Sequence, residues 1–156
     1  THLVKLRELQ KETQGITEFI PLPFVSMESP MYKRGDARPG PTFREVLLMH
    51  AVSRLALHPY IQNIQVSWVK LGPNGAESCL NAGVNDMGGT LMNESISKAA
   101  GSIHGQEFAP EKMEDFIKKA QRLPVLRDTL YNALPNNNYE TIDGMELFIN
   151  SAHPAY

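Results

Sequence analysis

The stretch Ile61-Gln62-Asn63-Ile64-Gln65-Val66-Ser67-Trp68-Val69-Lys70-Leu71-Gly72 decides the fold. Polar and apolar residues alternate along it, the period-2 pattern of a strand whose two faces meet different surroundings. Gln65, Ser67 and Val69 fall on one face, and Val66, Trp68 and Lys70 on the other. On its N-terminal side, Thr42-Phe43-Arg44-Glu45 has the spacing of a capping box, so a helix is expected from there to about Leu57, where His58-Pro59 stops it. Val46, Leu47, Leu48, Met49, Ala51, Val52, Leu55 and Ala56 occupy most sides of that helix, which predicts heavy burial. On the C-terminal side, Pro73 opens a helix with Ala76, Cys79 and Leu80 as its apolar stripe, ended by Gly83. Val84-Asn85-Asp86-Met87-Gly88-Gly89-Thr90-Leu91-Met92 reads as a further strand whose glycines allow close approach to the backbone.

Farther out, Leu3, Val4, Leu6 and Leu9 predict a helix over 2–14, with Gly15 taking the left-handed conformation at its end. Residues 18–25 read as a short strand end running into a polar loop over 26–41. A helix is expected over about 93–100. Another, over 110–120, carries Met113, Phe116, Ile117 and Ala120 on one side, with acids early and lysines late to suit its dipole. Helices and strands alternate, and the connections suit parallel crossovers, so the fold class is α/β. Three strands are too few to close a barrel, and an open parallel sheet leaves a face or an edge bare unless another segment completes it. With no initiator Met and an opening in mid-helix, the chain is expected to be a fragment.

The 156 residues, 42% hydrophobic and 21% charged, describe one globular unit. A net charge of −2 with scattered Lys and Arg argues against nucleic acid or an anionic membrane surface as partner. No apolar run approaches the roughly 20 residues of a membrane span, and the start resembles no signal peptide, so a cytoplasmic or organellar location is expected. The one cysteine, Cys79, excludes an internal disulfide and any cysteine-held cluster or zinc site built by this chain alone. The histidines have no HExxH or comparable spacing, so no metal ligand is assigned. Cys79, His50 and Trp68 read as core.

Four stretches carry a resemblance over residues 1–131: Thr17-Glu18-Phe19-Ile20-Pro21-Leu22-Pro23-Phe24, Arg38-Pro39-Gly40-Pro41-Thr42-Phe43-Arg44-Glu45, Asn63 through Gly72, and Asn85-Asp86-Met87-Gly88-Gly89-Thr90-Leu91-Met92-Asn93-Glu94-Ser95-Ile96-Ser97. They resemble the C-terminal part of the second, tyrosine-using catalytic unit of FO synthase, a radical S-adenosylmethionine enzyme of deazaflavin biosynthesis. The resemblance implies a partial TIM-type (βα) barrel, in which this chain supplies the last three βα units and C-terminal helices. It implies transfer of a 4-hydroxybenzyl group from tyrosine to 5-amino-6-ribitylaminouracil, with S-adenosylmethionine and a 4Fe-4S cluster as cofactors. The cluster ligands are absent from this chain, so the fragment alone is expected to be inactive. Partners so implied are the missing N-terminal half or a partner FO synthase unit, and a homo-oligomer through the open sheet is a further expectation.

Barrel sites lie at the carboxyl ends of strands, which singles out three places. In the first loop, Glu28, Arg34, Asp36 and Arg38 offer a carboxylate for an amine and an arginine for a carboxylate; the alternative is a solvated loop. On the second strand, Gln65, Ser67 and Lys70 put polar groups where a buried strand carries Val or Ile, with Lys70 suited to a carboxylate or another anion. On the third, Asn85, Asp86, Gly88 and Gly89, then Asn93 and Glu94, suit a hydroxyl-rich ligand, although the same residues make ordinary turns. Two other readings stand beside the FO synthase one: a futalosine cyclase-type radical enzyme of menaquinone synthesis, and a non-catalytic α/β module that binds a small molecule or oligomerises. Residues 132–156 read as a tail or docking segment.

Overall fold

The computed structural model describes residues 1–90, 95–104 and 107–134. Its elements are α1 (His2–Thr13), β1 (Glu18–Phe19), α2 (Pro30–Lys33), α3 (Phe43–Leu57), β2 (Asn63–Ile64), α4 (Trp68–Asn81), α5 (Ile96–Ala99) and α6 (Pro110–Lys119). β1 and β2 run parallel, with Glu18 opposite Asn63 and Phe19 opposite Ile64. A parallel bridge from Gln65 to Asp86 adds a third extended segment beside β2, through Val66 N–H to Asp86 O at 2.9 Å and Asp86 N–H to Ile64 O at 3.2 Å. The class is α/β, as expected: helices with a small parallel sheet.

The strand expected over 61–72 is shorter than its alternation suggested. Pairing stops after Val66, because the N–H groups of Lys70 and Leu71 turn back to Ser67 O at 3.1 and 3.2 Å and no longer face a ladder. Four residues of helical turn cannot be told from strand by periodicity alone. Within α4, Gly72 leaves the helical region at φ 69°, ψ 175°, and Pro73 restarts the helix where the sequence placed its beginning. The strand expected over 84–92 reduces to the contact at Asp86 among the described residues, since Gly88 at φ 74° turns the chain away. Gln14, at φ 50°, takes the left-handed end of α1 that was assigned to Gly15, and its N–H caps Gln10 O. The loop over 26–41 contains the helical turn α2.

Ile64 and Val66, both 0% exposed, point to one side of the sheet and form the core with Val46 of α3, Cys79 of α4 and Met113 of α6. Trp68 packs edge-on to Phe108 at 5.3 Å, and Phe108 to Phe116 at 5.7 Å, which ties the α6 face into the same core. α3 is less buried than its composition predicts. Val46, His50, Ser53 and Leu57 are inside, whereas Leu48, Val52 and Leu55 are exposed, Leu55 to 82%. No helix among the described residues is long and apolar enough to cross a membrane.

The capping box forms as read. Glu45 N–H donates to Thr42 Oγ1 at 3.3 Å, and Thr42 N–H donates to Glu45 Oε2 at 2.7 Å, which holds the Glu45 carboxyl below its usual range. Thr42→Ala is expected to lower the unfolding free energy by about 1 kcal/mol, read from denaturant midpoints at constant slope.

Cys79 and His50 are core residues. Burial pushes the Cys79 thiol up to about 11, and its sulfur lies 3.7 Å from His50 Nδ1. His50 Nδ1 meets Val46 O at 2.8 Å, and burial holds the imidazole below the ordinary histidine range. The unfolded chain takes up a proton below about pH 6.5 that the folded chain refuses, so this contribution is complete above that pH and lost below it. Wild type is therefore expected to lose more stability than His50→Leu between about pH 7.5 and 5.5. Equal losses in the two urea titrations would assign the acid sensitivity to other groups.

Candidate functional site

Two features stand out at the sheet. One is a groove beyond the carboxyl ends of β1 and β2, where ligands bind in parallel α/β folds. It has two lobes, of about 550 and 460 Å³, which share Pro23, Phe24, Val25 and Lys70. The first is bounded by Glu28 and by Ser97 and Ala100 of the α5 turn, the second by Phe43, Ser102 and His104. Lys70 stands at the junction because the chain turns into α4 directly after β2. Its Nζ lies 3.4 Å from Ser97 Oγ.

Gly72 and Gly40 shape these walls. A Cβ on Gly72 would lie 2.6 Å from the His104 ring, and one on Gly40 2.2 Å from the backbone oxygen of Phe24. Both glycines therefore permit contacts that any other residue would push apart.

The second feature is a polar network on the sheet face opposite Ile64 and Val66. Alternation places Gln65 there, next to Asp86. Asp86 is 9% exposed and accepts from both arms of Arg127, with Nη2 to Oδ1 at 3.0 Å and Nε to Oδ2 also bonded. Gly88 N–H adds a donor to Asp86 Oδ1 at 2.7 Å. With its amide nitrogen turned toward the two carboxylates, Gln65 donates to Asp86 Oδ1 at 3.3 Å and Glu18 Oε2 at 3.1 Å. Tyr131 donates its phenol to Glu18, and Arg127 stacks over the Tyr131 ring at 3.9 Å. Burial, then the bond to Glu18, pushes the Tyr131 phenol up from its ordinary value.

The sequence candidates divide among these places. Gln65, Asp86 and Gly88 meet in the network, and Glu28 and Lys70 meet at the groove. Glu28 is ion-paired with Lys33. Arg38 lies 3.4 Å from Glu45 at the start of α3, and Arg34 pairs with Asp36 at 2.8 Å. Asn85 is engaged within the fold: its Oδ1 accepts from Arg54 Nη2 at 2.7 Å and Ile64 N–H at 2.9 Å. Ser67 O starts α4, and Gly89 O accepts from Trp68 Nε1 at 3.2 Å. Asn93 and Glu94 lie outside the described residues, as does the tail from 135 on. Sequence reasoning missed Glu18, Arg127 and Tyr131. Glu18 left a signal, an acid opening an apolar run, whereas nothing local marks Arg127 or Tyr131, which reach partners 41 and 113 residues away.

The fold and site define a class: an α/β chain with small parallel strands and a two-lobed, largely apolar groove with a few polar and charged side chains at their carboxyl ends. Comparison makes this specific. A family model described as the CofH/MqnC C-terminal region matches residues 13–139, and the chain belongs to that family. It is 50% identical over 130 residues to the 5-amino-6-(D-ribitylamino)uracil--L-tyrosine 4-hydroxyphenyl transferase of Methanopyrus kandleri, covering 83% of this chain and 35% of that protein. It is 48% identical over 133 residues to the enzyme of the same name from Archaeoglobus fulgidus, covering 85% of this chain and 38% of that protein. The FO synthase of Streptomyces coelicolor is 47% identical over 134 residues, which cover 86% of this chain and 16% of that protein. The chain thus spans little more than a third of the first two relatives' length.

Proposed function

We propose that this chain is the C-terminal portion of a tyrosine-using 4-hydroxyphenyl transferase of the FO synthase type, and that it forms part of the wall of the substrate site. The observation that carries this reading is the groove at the carboxyl ends of the parallel segments, in a chain whose named relatives act on L-tyrosine and 5-amino-6-(D-ribitylamino)uracil. In this reading the described elements are the last three βα units of a TIM-type barrel. The rest of the barrel covers the sheet edges, which a parallel sheet requires. The setting is a cytoplasmic or organellar enzyme whose other partner is the remaining half of the barrel or a companion FO synthase unit. The transferase and FO synthase names of these relatives favour it over the futalosine cyclase reading.

The reading calls for S-adenosylmethionine and a 4Fe-4S cluster. This chain's donors do not fit the cluster: its one cysteine is wholly buried with a raised thiol pKa. No group of three or more potential ligands gathers among the described residues. No step is therefore assigned here to the cluster. What this chain supplies is orientation and the exclusion of water: Lys70, Glu28 and Ser97 line one lobe, His104 and Ser102 the other, and Pro23 and Phe24 give an apolar wall between them.

The test compares this chain alone with the full-length protein after anaerobic reconstitution, measuring iron, S-adenosylmethionine cleavage and the adduct of tyrosine with the aminouracil. Activity in the full-length form only is expected. A full-length form that binds no iron and cleaves nothing would leave a binding or oligomerising α/β module as the better account.

A further inference from the structure

We infer that the first lobe of the groove seats a zwitterionic α-amino acid, with Lys70 taking its carboxylate, Glu28 its ammonium, and Pro23 and Phe24 packing against its side chain. This rests on the transferase reading above and names the part of the site that selects the amino acid.

Among the described residues, the lobe of about 550 Å³ is lined by one cation and one anion, Lys70 and Glu28, against otherwise neutral side chains. Both are held by the same short turn. Lys70 Nζ reaches Ser97 Oγ at 3.4 Å, and Glu28 N–H donates to Ala100 O at 3.1 Å. Gly101 lets the segments close: at φ 97°, its hypothetical Cβ would lie 3.0 Å from Met27 Cβ and 3.3 Å from Glu28 Cγ. Two opposite charges bordering one lobe suit the two ends of a zwitterion better than any singly charged ligand.

The arginines that sequence reasoning offered for a carboxylate do not line the lobe. Arg34 is engaged by Asp36 at 2.8 Å, and Arg38 lies 3.4 Å from Glu45. Lys70, which reaches the neutral Ser97 hydroxyl, takes that role instead. Glu28 is paired with Lys33, but both side chains are more than half exposed, 55% and 57%, and a pair this exposed contributes little, so a ligand ammonium can replace Lys33 at small cost.

The experiment is calorimetric binding to the reconstituted full-length protein of three probes: L-tyrosine, tyramine, which lacks the carboxylate, and 3-(4-hydroxyphenyl)propionate, which lacks the amine. Wild type is expected to prefer tyrosine over each analogue by about 10- to 100-fold, the size of one charge-assisted hydrogen bond. Lys70→Met should abolish the preference over tyramine while tyramine binds as before, and Lys70→Arg should restore part of it. Glu28→Gln should do the same for the propionate. A structural role for Lys70 would instead weaken all three ligands together in Lys70→Met, and that result, or unchanged tyrosine binding, overturns the inference. If such a variant still makes the tyrosine adduct, the transferase reading survives without this assignment. If the wild-type protein neither binds tyrosine nor forms adduct, the transferase reading itself fails, and the inference with it.

Discussion

Arg127→Ala is expected to destabilise the fold by about 3–5 kcal/mol, the cost of stranding a buried charge whose partner has been removed. Asp86 is 9% exposed and Arg127 24%, and the guanidinium meets both carboxylate oxygens. Without it, Gly88 N–H and the Gln65 amide remain, too little to replace a full opposite charge. The loss extends further, because Arg127 also stacks on Tyr131, whose phenol is bonded to Glu18. Lysine should rescue only part, since an ammonium cannot form the planar two-point contact. Denaturant unfolding of Arg127→Ala, Asp86→Ala and the double variant measures the coupling. A coupling below about 0.5 kcal/mol would mean that the Arg127–Asp86 pair adds little to the hold of the C-terminal segment on the sheet.

Gly72→Ala is expected to cost about 3 kcal/mol, from two separate causes. At φ 69°, ψ 175° the backbone is in a region essentially reserved for glycine, which charges any other residue roughly 1–3 kcal/mol. A Cβ there also meets the His104 ring at 2.6 Å, and forced overpacking adds a similar amount. Gly72 joins the turn that carries Lys70 to the helix that begins at Pro73, so the groove should widen or tilt as the strain is relieved. In the full-length variant, thermal unfolding reports the strain, and affinity for tyrosine, the ligand proposed above, reports the change in the groove. A variant as stable as wild type would show that the turn relaxes freely.

These expectations rest on positions of unequal legibility. The capping box of α3 was readable at Thr42 and Glu45, because both halves of the device lie within one turn and need no distant partner. So was the α4 stripe of Ala76, Cys79 and Leu80, all buried, because helical spacing alone puts them on one face. Burial of α3 was overestimated, because composition cannot say which apolar residues find a neighbour: Leu57 does and Leu55 does not.

The site divides in the same way. That Gln65 and Asp86 carry polar groups on a strand was evident from residue type and alternation. That Arg127 and Tyr131 answer them was not, since a chain of this length offers many arginines and tyrosines and no local pattern selects among them. Asn85 was equally eligible by type, yet its Oδ1 is engaged by Arg54 and Ile64. The sequence by itself determined the α/β class, the starts of α1, α3 and α6, and the family, because capping, periodicity and long matching runs are encoded over short distances. Only tertiary structure decided which polar side chains face the groove, which hold the sheet to the C-terminal segment and where each strand ends. Those outcomes depend on pairing between residues tens of positions apart, where geometry rather than residue type selects the partner.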